Sequence, residues 1–307
     1  MQSKFIIGID LGATNVKIGL LDSKGKILKK VNLTTKSFPG RLKLLAEITR
    51  TVHNILQEKK LHAKDIIGAG IGLPGPVDFK NGIVDYLPNI PGWRKFPIRK
   101  WFSLRTGIKT FVDNDVNLVA LAESRMGAAR NAKNAVCITL GTGVGGGVII
   151  DGNIYRGSSF SAGEVGHMPI AEKGPKCNCG GRGCLERFVG NKYLLQKARG
   201  SFGSSISLER LAELAKKKNK KAIAIWQEAG RHIGVALAGV VNLLNPDRIV
   251  IGGGVANAGK VLFDEIENTV KSLAMPTQRR TVKIVKAKLT DNAGIFGAMF
   301  LVKENTD

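Results

Sequence analysis

The chain has 307 residues, 43% of them hydrophobic, enough for two domains or one large one with a sizeable core. No apolar run is long enough to span a membrane, and Met1-Gln2-Ser3-Lys4 leads straight into a strand-like run without the apolar segment of a signal peptide, so a soluble, cytoplasmic protein is expected. The formal charge of +23 suggests nucleic acid at first. However, Lys and Arg are spread along the whole chain, and 6% aromatics offer few stacking platforms, so a generally basic surface is expected in preference to a nucleic-acid partner, with attraction of polyanions such as nucleotides or polyphosphate as the functional alternative, and no membrane partner.

Phe5-Ile6-Ile7-Gly8-Ile9-Asp10 reads as a buried strand, followed by the glycine turn Leu11-Gly12-Ala13-Thr14-Asn15 and a second strand over 16–22. The turn Ser23-Lys24-Gly25-Lys26 leads to a third strand over 27–35. Leu42, Leu45, Ile48, Val52, Ile55 and Leu56 recur at helical spacing and predict an amphipathic helix over 41–59. Strands are expected over 66–73, ending at Pro74-Gly75-Pro76, and over 110–113. The pattern then recurs: strand 135–140, a glycine turn from Gly141 to Gly147, and a returning strand over 148–151. Helices are expected over 186–199, over 208–217 with Ser207 as N-cap, and over 222–244, which Asn245-Pro246 ends. A strand over 248–251, the loop Gly252-Gly253-Gly254, a helix over 260–273, a strand over 281–287 and a helix over 293–302 complete the chain. Two similar halves with hairpins and helical crossovers, and no low-complexity linker, predict an α/β protein with two lobes around a cleft.

Asp10 sits at a strand end beside Gly12 and Thr14. There the turn amides and the Thr14 hydroxyl can approach phosphate oxygens while the carboxylate faces a metal ion. The run holding Gly141, Thr142, Gly143 and Gly145 fits G-x-G-x-x-G, but a strand follows where dinucleotide binding needs a helix. No P-loop signature is present either, so a second phosphate-binding hairpin remains. Gly253 and Gly254 lie between a strand and a helix, where they serve phosphate binding at helix amides or simply close packing. Asp115 is a candidate general base. Alternatively, Asn114 or Asp115 caps the helix expected over 118–126, and the two roles are compatible.

His167, Cys177, Cys179 and Cys184 are a complete tetrahedral ligand set for zinc, within Cys177-Asn178-Cys179-Gly180-Gly181-Arg182-Gly183-Cys184-Leu185-Glu186. Three close cysteines can instead form one disulfide with one thiol left over. Four protein ligands leave no open position, so the ion is expected to be structural, and thiolate ligation suggests a reducing compartment. Cys137 lies in an apolar run and reads as a small core residue.

Together, Asp10-Leu-Gly-Ala-Thr14, Asn114-Asp115, Leu140-Gly-Thr-Gly-Val-Gly-Gly-Gly147, Glu164-Val-Gly-His167 and the Cys177–Glu186 run resemble the ROK family of sugar kinases and sugar-responsive repressors. That family lies within the actin-like ATPase superfamily, with its ribonuclease H-like fold, and the resemblance covers essentially the whole chain. It implies a small lobe of residues 1–116 joined by a returning C-terminal helix, 291–307. A large lobe, 117–290, would carry the zinc loop. It implies an ATP- and Mg²⁺-dependent kinase with structural Zn²⁺ that phosphorylates the 6-hydroxyl of a hexose, glucose in the nearest branch, and assembles as a homodimer or homotetramer. N-acetylglucosamine, N-acetylmannosamine or a polyphosphate donor are the alternatives. Carried over by position, Asp115 accepts the proton of the 6-hydroxyl and Asn114 binds neighbouring hydroxyls. Glu164, His167 and Glu186 hold the anomeric side, and Gly75 and Asn89 touch the sugar. Asp10, Gly12, Thr14, Gly141, Thr142, Gly143, Gly145, Gly253 and Gly254 serve the nucleotide. Family repressors carry a helix-turn-helix before the first strand, which here starts at Phe5. A sugar sensor lacking its DNA-binding domain is therefore the rival class.

Overall fold

Successive side chains of β1 (Phe5–Leu11) face opposite sides of a sheet. Ile7, Ile9 and Leu11 enter one buried cluster and Ile6 another, so each face needs its own helical cover. The structure is a computed structural model and describes residues 4–38, 40–87, 90 and 92–306; Asn89 lies outside the described residues.

After β1 come β2 (Asn15–Asp22), β3 (Ile27–Thr34), α1 (Arg41–Glu58), β4 (Ile66–Leu73), β5 (Val77–Asp78), β6 (Ile83–Tyr86) and β7 (Arg94–Phe96). Then follow α2 (Ile98–Thr106), β8 (Thr110–Asn114), α3 (Asp115–Met126), β9 (Ala135–Leu140), β10 (Val144–Ile150) and β11 (Asn153–Tyr155). The chain continues with α4 (Glu186–Val189), α5 (Asn191–Phe202), α6 (Leu208–Lys216), α7 (Lys220–Leu244) and β12 (Arg248–Gly252). It closes with α8 (Lys260–Leu273), α9 (Pro276–Thr281), β13 (Lys283–Lys286) and α10 (Ala293–Lys303).

These elements fall into two compact units. Unit 1 comprises Met1–Met126, Asn153–Ala162 and Asp291–Asp307, and unit 2 comprises Gly127–Gly152 and Gly163–Thr290. In unit 1 the sheet order is β3-β2-β1-β4-β8. The first three strands are antiparallel, and β4 and β8 continue parallel to β1. Leu44, Leu45, Ile48, Val52 and Ile55 of α1 fill one face. Leu118 and Leu121 of α3 and Ile295, Ala298, Met299 and Val302 of α10 fill the other. Close approach of α10 is possible because β4 carries Gly70, where a Cβ would lie 2.2 Å from the Ala298 carbonyl oxygen.

Unit 2 repeats the plan. The β9–β10 hairpin is antiparallel, and β12 and β13 run parallel to β9. Trp226, Ile233, Leu237 and Val241 of α7 anchor its core, with Val136, Ile138 and Ile251 from the sheet. Asn245, in the left-handed conformation at φ 43°, ends α7 where the Asn-Pro pair predicts a stop.

The structure departs from the sequence expectations in several places. The helix expected over 186–199 is broken at Gly190, whose extended ψ of 148° separates α4 from α5. The break frees the Asn191 amide to donate to the Gly141 carbonyl at 2.8 Å. The glycine turn expected to reach Gly147 is confined to Gly141–Gly143, because Val144 already pairs with Leu140. Helix α3 begins at Asp115, three residues before the expected start. The small sheet β5-β6-β7 and helices α2 and α9 have no counterpart in the expectation. Unit 1 takes in α3 and the segment Asn153–Ala162, since Leu118, Leu121 and Ile154 pack with α10.

Candidate active site

In unit 1 the β1–β2 turn is closed by the Gly12 amide donating to the Asn15 carbonyl at 2.9 Å. Thr35 pins it from outside: its amide donates to the Thr14 carbonyl at 2.8 Å and its hydroxyl to the Gly12 carbonyl at 2.9 Å. With the turn carbonyls held outward, amides and the Thr14 hydroxyl remain as donors for an anion. Asp10 is the penultimate residue of β1, and its register partner on β2 is Lys17. Lys17 Nζ lies 4.0 Å from Asp10 Oδ2 and 2.6 Å from Asp291 Oδ1, and Lys30 Nζ lies 2.6 Å from Asp291 Oδ2. Burial pushes the Asp10 carboxyl up from its ordinary range, opposed mainly by Lys17. Hydrogen bonds from Lys17 and Lys30 hold Asp291 down at about 2. Lys17 was not singled out from sequence; its place opposite Asp10 follows once the hairpin register is counted.

At the end of β8, Asn114 caps α3: its Oδ1 accepts from the Val116 amide at 2.9 Å and the Asn117 amide at 3.2 Å. Its Nδ2 donates to the Gly75 carbonyl at 3.3 Å, so two expected sugar contacts, Asn114 and Gly75, are neighbours. Asp115 opens the helix, and its Oδ1 accepts from the Val116 amide at 2.9 Å. A carboxylate in a helix first turn sits in the favourable field of the unpaired amides.

In unit 2 the Gly141–Gly143 turn closes with the Gly141 amide donating to the Gly143 carbonyl at 2.9 Å, leaving Thr142 exposed at its tip. Glu186 Oε2 accepts from the Val144 amide at 3.0 Å. A Cβ at Gly143 would lie 2.5 Å from that same oxygen, so a side chain there would displace the Glu186 carboxylate. Gly145 lies within β10 beside the turn. Gly253, at φ 85°, presses on β9, where a Cβ would lie 2.2 Å from the Leu140 carbonyl oxygen, which favours the packing reading. Gly254 has open space around it and starts a five-residue 3-10 turn, Gly254–Ala258, so the amides there are not those of α8.

Glu164 precedes the short turn Val165–His167. Desolvation raises the Glu164 carboxyl, with neighbouring Glu186 adding to the rise and His167 opposing it. His167 presents Nδ1 to Cys177 Sγ at 3.6 Å and Nε2 to Glu164 Oε2 at 4.0 Å. Cys179 and Cys184 sulfurs are 3.6 Å apart, none of the four cysteines is in a disulfide, and the four ligand atoms lie within 4.8 Å of one another. A zinc tetrahedron with Zn–S bonds of about 2.3 Å has S···S edges of about 3.8 Å, so the set fits the ion. Without a cation, burial pushes the Cys184 thiol up to about 12, a cost that metal ligation removes. The other ring nitrogen of His167 then faces Glu164.

The ROK family profile matches residues 6–305. The chain is 35% identical over 314 residues to a glucokinase of Thermotoga maritima, covering 97% of each. It is similar to the structure of a ROK family glucokinase from Streptomyces griseus in complex with glucose and AMPPNP, at TM-score 0.84 and 30% identity, over 98% of this chain and 99% of that one. It is also similar to a ROK family transcriptional regulator, a homolog of the E. coli MLC protein, at TM-score 0.90 and 27% identity, over 98% of this chain and 78% of that one. The chain thus has the actin-like ATPase fold that the resemblance to the family implies.

Proposed function

The chain belongs to the ROK family, and on that footing we propose that it is a hexokinase-type phosphotransferase that moves the γ-phosphoryl group of ATP to the 6-hydroxyl of glucose. The observation that carries this reading is Asp115. It stands at the start of α3 beside the cap Asn114, in a chain 35% identical to a glucokinase over nearly its whole length.

In this reading the Asp115 carboxylate takes the proton of the sugar 6-hydroxyl as that oxygen attacks the γ-phosphorus. The bond from the γ-phosphorus to the bridging oxygen breaks, and ADP leaves with the electron pair. Asn114 and Gly75 hold the sugar near its reacting end. Glu164, His167 Nε2 and Glu186 accept or donate to its anomeric side. The turns at Gly12 and at Gly141–Gly143 take the phosphates through amides other than those of Gly12 and Gly141, which close the turns, together with the Thr14 and Thr142 hydroxyls. Asp10 offers the hard oxygen donor that Mg²⁺ prefers, and the ion when bound neutralises phosphate charge. Zinc, when bound at His167, Cys177, Cys179 and Cys184, fixes the loop between Glu164 and Glu186 and takes no part in the chemistry.

We assign the protein to the cytoplasm, since a three-thiol metal site needs a reducing compartment and no helix among the described residues is long and apolar enough to cross a membrane. Exposed Val235, Leu243, Leu273 and Met275 in unit 2 support assembly as a homodimer or homotetramer. The reading is tested by ADP formation on a panel of hexoses and N-acetylhexosamines with ATP or polyphosphate as donor.

The likeness to the regulator, at TM-score 0.90, together with the +23 charge, favours a second reading as a sugar-responsive regulator. That reading requires salt-sensitive DNA retention without sugar phosphorylation.

A further inference from the structure

Beneath Asp115 lies a buried carboxylate to which the mechanism assigns no role. Asp113, 2% exposed, is the residue of β8 just before Asn114. Both of its oxygens are occupied. Oδ1 accepts from the Asn114 amide at 2.8 Å and from Asn117 Nδ2 at 2.9 Å. Oδ2 accepts from Arg156 Nε at 2.9 Å and Nη2 at 2.7 Å. One carboxylate therefore grips the residues on either side of Asp115, and one arginine neutralises it.

Arg156 is itself held. Its guanidinium carbon sits 3.7 Å from the Phe79 ring centre, a stacking contact that a flat guanidinium makes and an ammonium does not reproduce. The preceding residue pair, Ile154-Tyr155, belongs to β11, which contacts α3, and Ile154 packs against the cluster that holds Leu118 and Leu121 of α3. The segment carrying Arg156 is thus anchored to the helix that begins at Asp115.

We propose that Arg156 and Asp113 form a positioning pair that sets Asn114 and Asp115 for the reaction. This rests on the assignment of Asp115 as base and Asn114 as sugar contact, and goes beyond it by naming what holds them. The physical reason is charge. A buried carboxylate destabilises the fold unless paired, and removing one partner leaves the other uncompensated. Without Arg156, Asp113 is left buried and uncompensated and turns toward solvent. That movement releases Asn114 and Asn117, and with them the first turn of α3. Displacement of a reacting group by about 1 Å costs up to roughly a hundredfold in rate.

The test is steady-state kinetics, with hexose binding measured by calorimetry, on Arg156→Met, Arg156→Lys, Arg156→Ala and Asp113→Asn proteins. Circular dichroism and zinc content serve as checks on folding. Arg156→Met is expected to lower kcat by about tenfold to a hundredfold and to raise the hexose KM severalfold, with the ATP KM unchanged. Arg156→Lys should recover part of the loss, and millimolar guanidinium should restore part of the rate of Arg156→Ala. Asp113→Asn combined with Arg156→Met should lose less than the product of the single losses, because the pair is removed together. Should Arg156→Met merely lose folded protein, with unchanged kcat and KM in the remainder and no rescue by guanidinium, the positioning role is overturned. Asp115→Asn, run alongside, keeps the two readings separate. An active Asp115→Asn protein sinks the base assignment, while the effect of Arg156 on hexose affinity through Asn114 is still read. A dead Asp115→Asn protein beside a fully active Arg156→Met protein sinks the positioning pair alone.

Discussion

Glu186 Oε2 accepts a hydrogen bond from the Val144 amide at 3.0 Å, which ties the residue that ends the zinc loop to the glycine turn after β9. Glu186 is assigned to the sugar, and Gly141–Gly143 to the nucleotide. On the proposed assignment one carboxylate would serve both substrates, with Oε2 on the turn. Glu186→Ala should raise the KM for hexose and for ATP together. Glu186→Gln keeps an oxygen acceptor for Val144 and should raise the hexose KM while moving the ATP KM less. An alanine variant whose ATP KM is unchanged would show that the contact does not hold the turn.

Asp115→Asn should lower kcat by about 10²–10⁴ while glucose binding stays within a few-fold, since only proton acceptance is lost. Calorimetric titration with glucose beside the rate measurement separates the two. Loss of binding in proportion to rate would count against a base.

Purified protein should contain one zinc per chain. Cys179→Ser should lose the metal, lower Tm and weaken hexose binding through Glu164 and Glu186, while leaving ADP binding closer to normal. Elemental analysis, with calorimetry for each ligand, checks this; full activity in a zinc-free variant would refute it.

Acid should weaken one particular link. Lys17 and Lys30 hold Asp291 at about 2, below its ordinary 3.8, so this carboxylate stabilises the folded state above pH 3.8 and loses that contribution as pH falls toward 2. Asp291 is largely exposed, so the effect stays within about 1 kcal/mol. Asp291→Asn should therefore be less stable than the parent at neutral pH, with the gap closing below about pH 4. An equal gap at pH 7 and pH 3 would contradict the assignment. Asp10 has the opposite sign: burial raises it, so its ionised form disfavours the fold and acid relieves that cost.

Much of this was legible in the sequence because the motifs sit at strand ends and in glycine turns, where residue type dictates backbone. The β1–β2 and β9–β10 hairpins, the zinc ligand set and the cap at Asn114 could each be read from local pattern. The break at Gly190 could not, because Glu186, Arg187, Phe188 and Val189 continue a helical pattern. At the break the Asn191 amide makes a tertiary bond to the Gly141 carbonyl in place of a helical one. Likewise Asp113 reads as an ordinary strand residue and Arg156 as a surface charge. Their pairing spans 43 residues and follows only from β11 packing on α3. Lys17 was within reach of sequence reasoning, since a tight hairpin fixes which residue lies across from Asp10.

The measurement that bears most directly on the account is a coupled assay of ADP formation by the purified, zinc-replete protein with ATP, Mg²⁺ and glucose. The account predicts glucose-dependent turnover that Asp115→Asn abolishes. Folded, zinc-bound protein that forms no ADP with glucose or any other hexose, and instead retains DNA in a salt-sensitive manner, would contradict it.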